Sequence, residues 1–451
     1  MVSFGDLSRN EQLSPLLEMS DFNLASFRQY AIRGGTALGV GRLIAAGCAF
    51  ALTLLIARFL PLDSAGIYFL WLSAANLLSQ ICVLGSPTLV HREMAIAFSD
   101  DSQAVQKTVL ASGWLLLAIG SLVCFLLFLG LRQTGLLPKG FDAPFSLLVV
   151  LWAVLLGVQQ MLGELQRARR SFAVAVVFGG SLFGVLSIVF LFLAIWWTPN
   201  LTLPLVVLAT IGALAVNALA GTIVLVIQLA ERMAPVLRDT TTTILRRVPA
   251  FFPQSLAALV LAQADIWFLA FFVSAADLAM FGVAARIAVF GFFSMVVLQQ
   301  LIFPVVAVAI SEGDTTRVEQ MIKSMFMLVV VPTLVVYGIV LSFREELIVW
   351  LYGENYARAA AVLLILLTGQ ALVMLLGPSE AVLASARKGW EMLIVTSASV
   401  LLALSVGFLL VNHYGITGVA LAFSIARVLQ RACYTWLCRS RLNIRTTPLI
   451  W

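Results

Sequence analysis

Polar and apolar residues in this chain do not alternate with a two-residue period, nor do they trace a single amphipathic stripe. They come in long blocks. Apolar runs at approximately 36–58, 65–86, 108–131, 144–163, 171–197, 202–229, 249–272, 277–308, 324–343, 359–384, 391–412 and 414–437 are separated by short polar connections. Each run is close to the roughly 20 helical residues that a hydrocarbon core about 30 Å thick requires, because no backbone N–H or C=O can be left unpaired there. The pattern predicts an all-α integral membrane protein with about twelve transmembrane helices. The eighth run is too long for one straight crossing, so it tilts or extends beyond the lipid.

Composition agrees. Of 451 residues 61% are hydrophobic and 11% charged, with a mean hydropathy of +1.03, which excludes an ordinary soluble domain. The net charge of +6 points away from nucleic acid once the basic residues are located, since they are spread over many short loops. Only Arg58, Arg132, Lys139, Arg344 and Arg358 lie in one set of loops. Most of the others fall in the N-terminus, the alternate loops and the C-terminal tail, which predicts both termini in the cytoplasm. Met1 to Arg33 lacks the short basic run and apolar stretch of a cleavable signal. The five cysteines show no metal-ligand spacing and no disulfide framework, and neither His91 nor His413 is placed for a metal site.

A repeat divides the chain. Ala57-Arg58-Phe59-Leu60-Pro61-Leu62-Asp63-Ser64-Ala65-Gly66-Ile67-Tyr68 aligns with Ala270 to Phe281 at a shift of 213 residues. Both segments read as a helix end, a turn carrying an acid, and a helix start with a small residue ahead of an aromatic one. A parallel duplication follows, with six spans on each side. The expected organisation is a cytoplasmic segment at 1–35, an N-lobe at 36–229, a linker at 230–248, a C-lobe at 249–437 and a cytoplasmic tail at 438–451.

The same residues carry a family likeness. Arg58 to Tyr68, Leu84-Gly85-Ser86-Pro87 and His91-Arg92-Glu93-Met94-Ala95 resemble the N-terminal signature of Wzx-type polysaccharide-transporter flippases. Ala264-Asp265-Ile266-Trp267 through Phe281 and Ala285-Arg286 is similar to their seventh-to-eighth-helix hairpin. Leu351 to Ala359 and Tyr414 to Ala422 resemble the family's patterns near helices nine to ten and at the start of helix twelve. Ala279 stands where the family usually has Gly. The resemblance implies two pseudo-symmetric six-helix bundles around a central cavity. It also implies a cargo, a polyprenyl-diphosphate-linked oligosaccharide moved from the cytoplasmic to the outer leaflet of the bacterial inner membrane. Membrane lipids, and a polysaccharide polymerase with other assembly proteins, are the implied partners.

Such a cargo carries hydroxyls and phosphates whose dehydration costs several kcal/mol per polar group unless the protein replaces the water. Arginine suits this need, because its charge persists and its fork grips phosphate oxygens in pairs. Arg286 lies deep in the eighth span, and Asp265 lies at matching depth in the seventh. The two are either a structural ion pair or part of a substrate or ion site. Arg42 lies near the inner end of the first span, where snorkelling competes with a cavity role; the resemblance to lipid-flipping proteins with cavity arginines on their first and eighth helices puts the two on an equal footing. Ser73, Asn76 and Gln80 share one face of the second span, Gln254 shares a face with Asp265, and Gln300 with Arg286. Each is a candidate to line a hydrated cavity or to bond between helices.

Arg427, with Arg431, is expected to anchor the last helix at the interface, and Glu380 to pair with Arg387. Glu345 to Tyr356 reads as a helix in the outer interface with Trp350, Tyr352 and Tyr356 in an aromatic belt, and Asn23 to Arg33 as its counterpart on the inner face. No cofactor is expected; Asp265 is a candidate for proton or sodium coupling. An organic-cation exporter is the alternative function, although its cavity should be net acidic. A membrane glycosyltransferase or polymerase is disfavoured because no connection exceeds about 20 residues and none carries an acid/base set.

Overall fold

The computed structural model describes residues 24–99, 102–142, 144–169, 171–198, 201–230, 259–261, 263–311, 313–386 and 388–447. Among them every regular element is helical. The first half comprises α1 (Leu24–Phe59), α2 (Leu62–Val83), α3 (Ser86–Ser99), α4 (Gln103–Gln133), α5 (Leu148–Ala168), α6 (Phe172–Val176), α7 (Leu182–Trp197) and α8 (Leu203–Ala230). The second comprises the helical residues 263–269 (α9), then α10 (Ala275–Ser311), α11 (Thr315–Met325), α12 (Val331–Ser342), α13 (Arg344–Tyr352), α14 (Ala359–Leu375), α15 (Ser379–Ser385) and α16 (Gly389–Leu442). The expected linker at 230–248 lies outside the described residues apart from Ala230.

Eight of these helical stretches are individually long and apolar enough to cross a membrane, and α14 with α15 makes a ninth across a 50° bend. The 54-residue α16 breaks at Gly415 (φ 54°, ψ −131°), which divides it into the last two expected spans. The long eighth run is one helix of 37 residues, α10. Large apolar side chains such as Trp196, Trp197 and Leu219 point outward with 64–84% of their surface uncovered. In water such a band would be an aggregation surface; in lipid it is matched to its solvent.

Several boundaries differ from expectation. The fifth span is broken: α6 and α7 are joined by a wide turn at Val177–Ser181 in which Gly180 adopts φ 152°. Residues 86–99, expected as loop, form α3 on the face where α1 begins and α16 ends, here called the terminal face. Leu84 (φ 51°) and Gly85 (φ 67°) are both left-handed, so the chain leaves α2 in a tight reversal. Leu89, Val90, Met94 and Ala97 of α3 are buried beneath it. The N-terminal residues 24–33 are continuous with α1 and do not make a separate surface helix. On the opposite face, α13 is the expected short helix, but of the three expected belt aromatics only Trp350 is exposed; Tyr352 and Tyr356 are buried at 4% and 3% exposure. They pack inward as a core pair rather than joining an aromatic belt, and burial pushes the Tyr356 phenol up to about 12.

Helix packing repeats between the halves. α2 packs on α5 and α5 on α8; in matching fashion α10 packs on α14 and α14 on α16. The halves meet where α10 lies against α1 and α2. That seam is tightest toward the face opposite the termini. Gly66 sits so close to α10 that a Cβ there would lie 1.8 Å from the Ala275 carbonyl oxygen, and a Cβ on Gly282 would meet the Phe69 ring at 2.6 Å. Phe141 stacks on Trp267 with centroids 5.8 Å apart. Arg58 donates to the Leu351 carbonyl at 2.6 Å and to that of Trp350, capping the C-terminal end of α13, where helix carbonyls carry partial negative charge.

Candidate functional site

Two polar regions interrupt the apolar bundle. The deeper one is in the second half. Asp265, on α9 and only 5% exposed, cannot remain ionised there alone. Its Oδ1 accepts from the Ile266 N–H at 2.9 Å, and its Oδ2 lies 3.2 Å from Arg427 Nη2. The ion pair therefore joins α9 to α16, and Arg427 is the partly buried partner of Asp265 rather than an interface anchor. Arg286, expected opposite Asp265, is within electrostatic reach of Asp265 and Tyr68. Among the described residues its guanidinium has neither a hydrogen bond nor an ion pair. It lines a cavity of about 60 Å³ with Gln263, Asp265, Gln370 and Arg427. That volume holds a few waters and no sugar.

The second region is a pair of adjoining chambers near the terminal face of the first half, of about 350 and 290 Å³. Arg167 and Gly179 line both. Arg42 projects from α1, Glu164 and Arg167 come from the last turn of α5, and the broken fifth span supplies Gly179 and Gly180. Glu164 pairs with Arg167, Oε1 lying 2.9 Å from Nη1, while its Oε2 lies 3.0 Å from His91 Nδ1 without forming a hydrogen bond. Arg42 lies within electrostatic reach of both Arg167 and Glu164 and is bonded to neither. The break in the fifth span is fixed by side chains that replace its missing helix bonds: Gln159 Nε2 donates to Gly179 O at 3.2 Å and Asn217 Nδ2 to Phe178 O at 3.1 Å. Broken helices inside membrane bundles belong beside cavities, where freed backbone groups find partners.

The polar face of α2 connects the regions without acting as one surface. Ser73 Oγ donates to Gln263 Oε1 at 2.8 Å, a bond between the two halves. Asn76 turns back to the Leu72 carbonyl at 2.8 Å. Gln80 donates to Gln160 Oε1 at 2.9 Å and lines the smaller chamber. Gln254 lies outside the described residues, as does the side chain of Gln300. Glu380 pairs with Arg431 at 3.0 Å; Arg387, its expected partner, lies outside the described residues. Sequence reasoning missed Gln159, Gln160, Glu164 and Arg167 as a group. Their signal was available: they recur at helical spacing along one face of an otherwise apolar run.

The geometry is that of a two-lobe helical membrane protein with cationic cavities inside each lobe, a fold shared with solved transporters. The lipid II flippase MurJ in an inward closed conformation superposes with a TM-score of 0.69 at 13% identity, covering 89% of this chain and 87% of that one. A multidrug resistance MATE family transporter of the MOP superfamily, in its inward-facing conformation, gives 0.66 at 16% identity over 90% and 97%. A point mutant of the Vibrio cholerae MATE transporter VcmN gives 0.63 at 15% over 93% and 98%. No curated protein matches at a significant level. The family model described as polysaccharide biosynthesis protein matches residues 31–311, and the chain belongs to that family.

Proposed function

We propose that this protein flips a polyprenyl-diphosphate-linked oligosaccharide from the cytoplasmic to the outer leaflet of a bacterial inner membrane, by alternating access, for assembly of a surface polysaccharide. The observation that carries the reading is Arg286, a guanidinium inside the bundle with no partner among the described residues. The only acid among the described residues lining its cavity is already neutralised by Arg427. The first lobe has the same bias, two arginines around one glutamate at the shared chambers. A net cationic path suits a phosphate-bearing cargo.

The distribution of Lys and Arg supports placing the terminal face in the cytoplasm. The tight seam on the opposite face and the chambers near the termini then correspond to a state closed outward and accessible from inside. Sugar hydroxyls would find Gln80, Gln159 and Gln160 along the first lobe. Asp265, spoken for by Arg427, is a poor site for an organic cation, which argues against drug efflux.

The test is deletion of the gene in its source cell, with complementation by wild type and by Arg286→Ala. Accumulation of completed lipid-linked repeat units on the cytoplasmic leaflet is expected, restored by wild type and not by the variant at equal membrane abundance. Unchanged surface polysaccharide with altered tolerance to organic cations would replace this reading with efflux.

A further inference from the structure

The two cavities differ in readiness. The one beside Arg286 has about 60 Å³, whereas the chambers at Arg167 offer about 350 and 290 Å³. A diphosphate headgroup fits the latter without rearrangement of the helices. We propose that Arg42 and Arg167 form a diphosphate-binding station at the terminal face, and that Glu164 is a resident carboxylate which the incoming diphosphate displaces from Arg167. The proposal rests on the reading that the cargo is an anionic lipid headgroup.

The chemistry follows from the contacts. Glu164 occupies the Arg167 guanidinium at 2.9 Å from the preceding turn of the same helix. One carboxylate presents a single negative charge and two oxygens, one of which faces His91 Nδ1 at 3.0 Å. It forms an ion pair with Arg167 and leaves Arg42 unpaired among the described residues. A diphosphate carries more charge and more acceptor oxygens, enough to engage both guanidinium forks at once. The displaced Glu164, whose side chain is 23% exposed, turns toward the water of the chambers, so its carboxylate is not stranded. The side chains of Arg167, Glu164 and His91 are 31%, 23% and 40% exposed, which leaves them reachable from the chambers. Gly179 and Gly180 add no side chain to the opposing wall. Gln159 is tied to the Gly179 carbonyl through its nitrogen, and its buried Oε1 has no partner, an acceptor aimed at nothing in the protein. A sugar hydroxyl next to the diphosphate would satisfy it.

The geometry also distinguishes Glu164 from an ordinary structural partner. A structural carboxylate supports binding, so neutralising it weakens binding. A resident competitor opposes binding, so neutralising it strengthens binding.

The experiment measures equilibrium binding of undecaprenyl diphosphate to the purified full-length protein by native mass spectrometry, with undecaprenyl monophosphate and inorganic pyrophosphate as separate arms. Arg167→Gln is expected to weaken undecaprenyl diphosphate about tenfold or more, the worth of a charge-assisted bond, and Glu164→Gln to tighten it severalfold. Arg167→Lys, which keeps charge and loses the fork, should fall between them and stands in if the glutamine variant does not fold. Pyrophosphate should compete with the lipid, marking the headgroup as the recognised part. Wild-type affinity in Arg167→Gln, weaker binding in folded Glu164→Gln, or lipid binding indifferent to pyrophosphate would each overturn the station. If Arg286→Ala weakens the lipid while Arg167→Gln does not, the station fails and the flippase reading stands. If wild type ignores the lipid yet binds pyrophosphate through Arg167, the station stands for a free diphosphate and the lipid-linked reading fails.

Discussion

Removing Arg427 tests the electrostatic logic of the second lobe most directly. In Arg427→Ala the Asp265 carboxylate loses its only cation within bonding distance among the described residues while remaining 5% exposed. At 3.2 Å and an effective dielectric of 20, the lost attraction is about 5 kcal/mol. Breaking one side of a buried pair costs about 3–5 kcal/mol in practice, because the survivor keeps its desolvation penalty. With the Arg427 side chain 23% exposed, the lower end applies. Thermal unfolding in lipid nanodiscs should therefore show a clear loss of stability, and Asp265→Asn in the same background should recover most of it. Activity adds a second readout. A freed Asp265 carboxylate lies within electrostatic reach of Arg286 and neutralises the cation that this cavity offers the cargo, so flipping should fail in Arg427→Ala and return in Arg427→Ala/Asp265→Asn. A single variant as stable as wild type, or a double variant that recovers neither property, would refute the assignment of Arg427 as the charge that reserves Asp265.

Other expectations follow from backbone geometry. Gly66→Val cannot be accommodated against the Ala275 carbonyl, so the seam should part; spin labels at the exposed Leu136 and Trp350 should report a longer distance between the lobes, and an unchanged distance would show that the seam is not the closure. Gly180→Ala strains a residue at φ 152° and brings a Cβ to 3.3 Å from Gln159 Nε2 on the chamber wall. Flipping should drop while the protein still reaches the membrane; full activity would separate the broken helix from the transport path.

What the chain reveals as sequence and what it conceals have physical causes. Lipid demands continuous apolar helices, so span number and the two-lobe division were readable from block lengths and from the Arg58–Tyr68 repeat. The break at Gly179–Gly180 was not, because two glycines in an apolar run look like packing surface until Gln159 and Asn217 are seen holding the freed carbonyls. Depth along a helix was readable, and Asp265 and Arg286 do lie near each other. Azimuth relative to a third helix was not, so Arg427, on the far side of the Gly415 break, went unrecognised as the partner. Tyr352 and Tyr356 illustrate the same limit, since a tyrosine at an interface and a tyrosine under a loop share one sequence signature.

The 213-residue shift gives a reason for where Arg286 sits. Positions related by a pseudo-two-fold meet across its axis, and α2 and α10 are such a pair. Phe69 and Gly282 are counterparts under the shift, and they pack on each other; Gly66 packs beside Ala279, its own counterpart. Two phenylalanines there would collide and two glycines would leave a void, so divergence after duplication lets the lobes close. One helical turn further along the same faces the counterparts are Ser73 and Arg286. Two arginines meeting at an axis would repel, and two serines would offer no charge. Ser73 turns aside to Gln263, leaving a single guanidinium beside Tyr68 of the other lobe. Because the surroundings of an axial residue change most when lobes rock against each other, Arg286 is where a conformational change would alter affinity for an anion most strongly.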